Sequence, residues 1–323
     1  MMARGWGADN ESEGWAVRVS IIGQAAFGEA VLTRLREDGV EIAGVSAPAP
    51  AEGGKPDPLW AKGIEMGLPT VDTKALKEPG GQAAWQALGA DLCVMAFVTD
   101  ILPDIVFDDA KMGTIQYHPS LLPLHRGSSA IAWAIINGRT ETGITIFWPD
   151  KGIDTGPVLL QERCPVTPED TVTSLYFQKL FPMGVEALSK AVRMVAEGTA
   201  PRVEQDHSLA TYEPPLRDEH CAIAWHLPAE TLDRLIRGAN PTPGAWTTYE
   251  GKRLRLFDIA WGTDGLKPGM PGRVLEVDDA GFSVRLNGGR VLRVGRVQYE
   301  GGKKEPAIDW AKSVGLEPGY RFR

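Results

Sequence analysis

The sequence predicts an α/β fold in two parts, a Rossmann-like, mostly parallel sheet domain followed by a small β-barrel domain. Three observations predict it. In the first half, short apolar runs rich in β-branched residues alternate with helical patterns, which implies a parallel sheet with helices on both faces. After residue 250 the apolar runs come close together, separated by Gly, Asp and Asn turns, the pattern of a small barrel. Between the two, residues 199–217 (TAPRVEQDHSLATYEPPLR) show no sustained period and collect prolines, as a linker does. The expected boundaries are a disordered extension over 1–16, a first domain over 17–205, a linker over 206–217 and a second domain over 218–323.

Taken in order, residues 17–22 (VRVSII) read as a first buried strand, with Gly23 and Gly28 flanking a turn into a helix of about 27–38. The G-x-x-x-x-G spacing lacks the Lys-Ser/Thr of a P-loop, and no G-x-G-x-x-G is present, so neither phosphate motif is met. A second strand is expected over 41–45, a helix near 58–66, further apolar segments at 68–73 and 91–97, and a helix around 80–89. The segment DLCVMAF is expected to be a central strand, and the loop after it, containing Asp100, Ile101 and Leu102, stands where a ligand-lining loop would.

Residues 113–118 fit a short strand that delivers His118 at its end, because Pro119 has no N–H to continue a ladder. Residues 129–137 fit a buried helix stopping at Gly138, and 142–148 (TGITIFW) the next strand, followed by the loop Asp150-Lys151-Gly152-Ile153-Asp154-Thr155-Gly156. Ligands of open α/β sheets bind outside the carboxyl ends of strands, so these two strands would offer His118 and Asp154 to one crevice. An imidazole and a carboxylate that meet there can do general acid–base work. The D-x-G-x-D spacing also fits the start of a calcium loop, but its twelfth position is Gln161 rather than a bidentate Glu, and no metal is expected. Arg126-Gly127 would either orient a carboxylate or pair structurally near the site.

A helical pattern runs from Asp170 to about Ala196 with an interruption at Phe181-Pro182. Pro228-Ala229-Glu230 opens another helix, with Leu232, Leu235 and Ile236 on one face, and short strands are expected over 253–259, 273–277, 282–286 and 291–299.

Composition bounds the function. The 323 residues are 43% apolar and 24% charged, with no apolar run near the ~20 residues of a membrane span and no signal-peptide pattern at the start, so a cytoplasmic enzyme is expected. Cys93, Cys164 and Cys221 are widely spaced, which points to buried structural thiols rather than a zinc site or disulfides. The net charge is −8, but residues 251–323 hold 14 Lys/Arg against 9 Asp/Glu, so they carry +5 and the remainder −13. That asymmetry keeps an RNA partner open.

The run Gln116-Tyr117-His118-Pro119-Ser120-Leu121-Leu122-Pro123 with Arg126-Gly127, followed by Asp150 to Gly156, resembles the formyltransferase family that uses 10-formyltetrahydrofolate. The family includes methionyl-tRNA formyltransferase and the hydrolase domain of 10-formyltetrahydrofolate dehydrogenase. The sequence is most similar to the latter, through Gly23-Gln24 with Phe27-Gly28, Tyr117-His118-Pro119-Ser120 and Ile146-Phe147-Trp148. Pro243-Gly244-Ala245-Trp246-Thr247 extends the resemblance into the second half.

The resemblance implies an OB-like barrel, and a folate substrate, 10-formyltetrahydrofolate, whose pterin and formyl-bearing part would lie against Asp100, Ile101 and Leu102. It implies that Asp154 orients the attacking water or amine while His118 donates to the oxyanion or shuttles the proton. Gln116 stands where transferases have Asn and the dehydrogenase's hydrolase domain an apolar residue, which leaves both hydrolysis and transfer to an amine open. The chain has no room for carrier and aldehyde-dehydrogenase domains, so no NADP is implied. The resembled tRNA transferases carry a long basic loop after the second strand, whereas the matching connection here, 47–58, has only Lys55. A tRNA partner is therefore not favoured, even though Arg285, Arg290, Arg293 and Arg296 could line a barrel surface.

Overall fold

The computed structural model describes residues 17–262 and 269–323; the extension expected over 1–16 lies outside the described residues. The chain forms β1 (Arg18–Gly23), α1 (Ala25–Glu37), β2 (Glu41–Ala47), α2 (Pro58–Glu65), β3 (Thr70–Asp72), α3 (Pro79–Gln86), β4 (Leu92–Ala96), α4 (Asp104–Asp108), β5 (Thr114–His118), α5 (Ala130–Ile136), β6 (Glu141–Phe147) and β7 (Val158–Pro165). These strands make one seven-stranded sheet in the order β3-β2-β1-β4-β5-β6-β7. The first five run parallel, and β6 and β7 are antiparallel to their neighbours. The runs SIIG in β1 and LCVMA in β4 are buried along their length, as strands covered on both faces must be.

β7 is the strand of this sheet that the sequence reading left out. Its burial is patchy and Glu162 and Arg163 stand on it, because it is the sheet's edge and charges are tolerated there. Beyond it come α6 (Val172–Leu175), a π-turn (Tyr176–Leu180) and α7 (Phe181–Ala196). The expected interruption at Phe181-Pro182 takes the form of this π-turn in the residues before the proline, where a ring without an N–H would otherwise strain the helix ladder. α7 lies close on the sheet: a Cβ on Gly184 would come within 2.5 Å of the Tyr117 ring.

The second unit holds α8 (Ala229–Gly238), β8 (Trp246–Tyr249), β9 (Lys252–Trp261), β10 (Val274–Asp278), β11 (Gly281–Arg285), β12 (Val291–Tyr299), β13 (Lys304–Pro306) and α9 (Ala307–Val314). Its strands form an all-antiparallel sheet in the order β10-β11-β12-β9-β8, with β13 on β12. Leu254, Leu256, Phe282, Val294, Trp310 and Phe322 fill the core, and Leu232, Leu235 and Ile236 of α8 join it on one face. α8 packs on α5 of the first unit, where Gly238 leaves no room for a Cβ against Ile136.

Two expectations about side chains are settled here. The three cysteines are free and buried, and burial pushes the thiols of Cys93 and Cys221 up, to about 12 and about 11. The arginines expected on a phosphate-facing barrel surface are otherwise engaged: Arg285 is buried, and Arg290 pairs with Glu230 while stacking on Trp261. Arg293 pairs with Asp278, and Arg296 donates to the Lys304 carbonyl. Their acidic partners lie in the second unit itself, not in the acidic first one. Among the described residues no helix is long and apolar enough to cross a membrane.

Candidate active site

β5 ends at His118, whose ring is buried. Its Nε2 lies 2.9 Å from the carbonyl oxygen of His125. A carbonyl only accepts, so Nε2 carries a proton and donates it there. Nδ1 is then the nitrogen left for chemistry, and it faces Asp154 Oδ2 at 3.5 Å.

The route by which Asp154 arrives differs from the expected one. Because β6 pairs antiparallel to β5, with Gln116 opposite Phe147 and His118 opposite Thr145, the chain leaves β6 toward the start of β5 rather than beside its end. The loop after β6 must therefore double back. Trp148 N–H closes it on the Pro157 carbonyl, and the Asp150 carboxylate accepts from Gly152 N–H and the Thr155 hydroxyl. Gly156 is required for this turn, since a Cβ there would sit 1.8 Å from the Trp148 carbonyl oxygen. Asp154 adopts a left-handed φ of 56°, a conformation that costs a residue with a Cβ roughly 1–2 kcal/mol. Its Oδ2 accepts the Gly127 N–H at 2.8 Å.

The His-Pro-Ser-Leu-Leu-Pro turn is fixed by neighbours on β6 and β7. The Thr145 hydroxyl donates to the Ser120 carbonyl at 2.7 Å and accepts the Leu122 N–H, while Gln161 donates to the Leu122 carbonyl. His125 is clamped between Glu213, 3.0 Å from its Nδ1, and the Arg139 Nε–H, which donates to Nε2 at 3.2 Å. Burial lowers its pKa, so it is a neutral structural histidine.

Arg126 resolves to structural pairing. Buried, it donates to the Tyr212 hydroxyl and to Gln205 Oε1, each at 2.6 Å. Gln205 in turn donates to the carbonyls of Asp154 and Gly156, at 3.0 and 2.7 Å. Residues 205–213, read from sequence only as linker and its approach, thus form the back wall of the site. No periodicity or motif signalled them.

Gln116 lies on the same strand face as His118, half-buried, and its side-chain amide has no hydrogen-bond partner among the described residues. β4 runs parallel beside β5, so residues 97–103 leave the sheet at the same end as His118. Within that loop the three expected ligand residues part company. Ile101 is 86% exposed, Asp100 is partly exposed and paired with Lys77 at 2.7 Å, and Leu102 is buried in the core beneath. Leu102 therefore supports the loop from below instead of presenting itself at the surface. Among the described residues no group of three or more His, Cys, Asp or Glu is placed to hold a metal ion.

Residues 17–192 match the family model described as formyl transferase, and 215–315 match that of the formyl transferase C-terminal domain. The chain is 41% identical over 311 residues to the cytosolic 10-formyltetrahydrofolate dehydrogenase of Mus musculus, an alignment that takes in 92% of this chain and 34% of the relative. It thus spans about a third of the length of the curated relatives it matches first. It is 34% identical over 308 residues to the methionyl-tRNA formyltransferase of Syntrophus aciditrophicus, covering 94% of this chain and 98% of the relative. Among solved structures, HypX from Aquifex aeolicus in complex with tetrahydrofolic acid superposes with a TM-score of 0.68 at 20% identity, over 93% of this chain and 47% of that one. A sugar 3N-formyl transferase, WlaRD, superposes with a TM-score of 0.65 at 16% identity, over 89% of this chain and 99% of that one. At those identities the superpositions establish the fold.

Proposed function

The chain belongs to the formyl transferase family, and from that premise we propose that it hydrolyses 10-formyltetrahydrofolate to tetrahydrofolate and formate. The observation that carries the chemistry is the buried His118–Asp154 pair, with Nδ1 as the free ring nitrogen. The Asp154 carboxylate orients a water against the formyl carbon and takes up its proton as the C–O bond forms. His118 Nδ1 takes that proton over from the carboxylate, turns it toward the developing oxyanion and passes it to N10 as the C–N bond breaks, so that both groups end as they began. The nucleophile comes from outside the protein. The exposed Ile101 and the loop it stands on would receive the pterin.

Water is favoured over tRNA by the state of the basic residues at the two places where a tRNA would be gripped. The connection between β2 and α2 has Lys55 as its one basic residue, and of the four barrel arginines Arg285 is buried, Arg290 is paired and stacked and Arg293 is paired, while Arg296 is exposed. Tight RNA binding draws on several phosphate contacts, and of these five residues Lys55 and Arg296 are the exposed ones without an acidic partner among the described residues. The second reading, transfer to an amine, rests on the near-complete coverage of the methionyl-tRNA formyltransferase relative and on Gln116, a carboxamide at the transferase Asn position. The test is turnover of 10-formyltetrahydrofolate without added amine: hydrolysis releases formate and tetrahydrofolate in equal amounts, and the reading fails if neither appears.

The unbonded amide of Gln116 is the second oxyanion donor in this scheme. Gln116→Leu is expected to lower kcat by ~10–10³-fold with little change in folate binding. A variant as fast as wild type would reduce the residue to a packing role.

A further inference from the structure

We propose that Gln205 is a positioning residue that holds Asp154 in its reactive conformation, so that the inter-domain segment is part of the catalytic apparatus. The proposal rests on the formyl-transfer reading of the same site. Asp154 stands at a positive φ, and such a conformation persists only where surrounding contacts over-determine it. The contacts are few and specific. The Gly127 N–H fixes the carboxylate, and the single Gln205 amide nitrogen bridges the carbonyls of Asp154 and Gly156, gripping the loop from behind.

Gln205 is itself immobilised. It is 6% exposed, its oxygen is held by Arg126, and two residues earlier Val203 exchanges backbone hydrogen bonds with Val158 at the start of β7. Arg126 lies between the two residues that touch the reactive pair: the His125 carbonyl receives His118 Nε2–H, and the Gly127 N–H reaches Asp154. The ring His118, His125-Arg126-Gly127, Gln205, Asp154 is thereby closed, and both reactive groups take their positions from one rigid frame. Gln205 reaches them only through the backbone of the Asp154 loop.

Gln205→Glu isolates the donor role. A glutamate of the same shape keeps the Arg126 pairing but has no N–H for the two carbonyls, and an oxygen there repels them. The experiment compares wild type, Q205E, D154N and the double variant for kcat and KM with 10-formyltetrahydrofolate, together with hydrogen exchange of the peptide spanning residues 150–157. Expected are a kcat lowered ~10–10²-fold with KM little changed, faster exchange in that peptide, and a double variant no slower than D154N, because both changes act through one group.

Wild-type kcat and exchange in Q205E would overturn the proposal, as would a double variant slower than D154N by the full factor of Q205E. If wild type itself releases no formate, the hydrolytic reading fails, while the exchange measurement still decides the positioning role. Should Q205E not fold, Gln205→Asn, which keeps the amide but shortens its reach by one methylene, is read in the same way.

Discussion

Asp154→Asn is expected to lower turnover of 10-formyltetrahydrofolate by ~10²-fold or more while the protein stays folded. The reasons are local. Asn keeps an oxygen that can accept the Gly127 N–H, and the Asp154 carbonyl still receives the Gln205 amide, so the loop retains its supports. What disappears is the negative charge facing His118 Nδ1 and the capacity to take a proton from water. Because asparagine tolerates positive φ better than most residues, the stability of the variant should remain near that of wild type. Near-normal turnover by the folded variant would remove Asp154 from the mechanism.

His118→Asn is expected to cost ~10²–10⁴-fold in kcat, the range for loss of a positioned acid–base group. His118 cannot be replaced by another donor in the same place, since its Nε2–H is committed to the His125 carbonyl and only Nδ1 can give a proton and take it back. An asparagine amide can donate a hydrogen bond but cannot return a proton. Folate affinity, read by direct titration, should change far less than kcat, because the loop 97–103, proposed to receive the pterin, hangs from β4 and not from His118. Equal losses in binding and turnover would mean that His118 shapes the pocket rather than handling the proton.

The parts of the site that sequence could reveal are those whose chemistry is tied to residue type and short spacing. His118 before Pro119 marks a strand end, and Asp154 lies in a run of Gly and Asp that can only be a tight loop, so both are legible. Their meeting was expected for a geometric reason that does not apply: β6 is antiparallel to β5, and the loop doubles back to bring Asp154 to His118. Strand direction depends on long-range pairing, which no local pattern encodes.

The same limit hid β7, whose alternation is blurred at a sheet edge, and the short pair β13 and α9. α9 did carry signals, Pro306 before it and Gly315 at φ 65° after it, but eight residues are too few for a periodicity to stand out. Gln205 and Arg126 were illegible as a working pair because they are far apart in sequence and their hydrogen bond exists only once the inter-domain segment has folded onto the loop.

The identity of the acceptor is tested most directly by supplying 10-formyltetrahydrofolate and charged methionyl-tRNA together at catalytic enzyme concentration, and following formate, tetrahydrofolate and formyl-methionyl-tRNA. The expected result is formate and tetrahydrofolate released in equal amounts at a rate that methionyl-tRNA does not change, with the RNA unformylated and bound without the steep salt dependence of several phosphate contacts. Stoichiometric formylation of methionyl-tRNA, with no formate released in its absence, would contradict the hydrolytic reading and make this chain an amine formyltransferase.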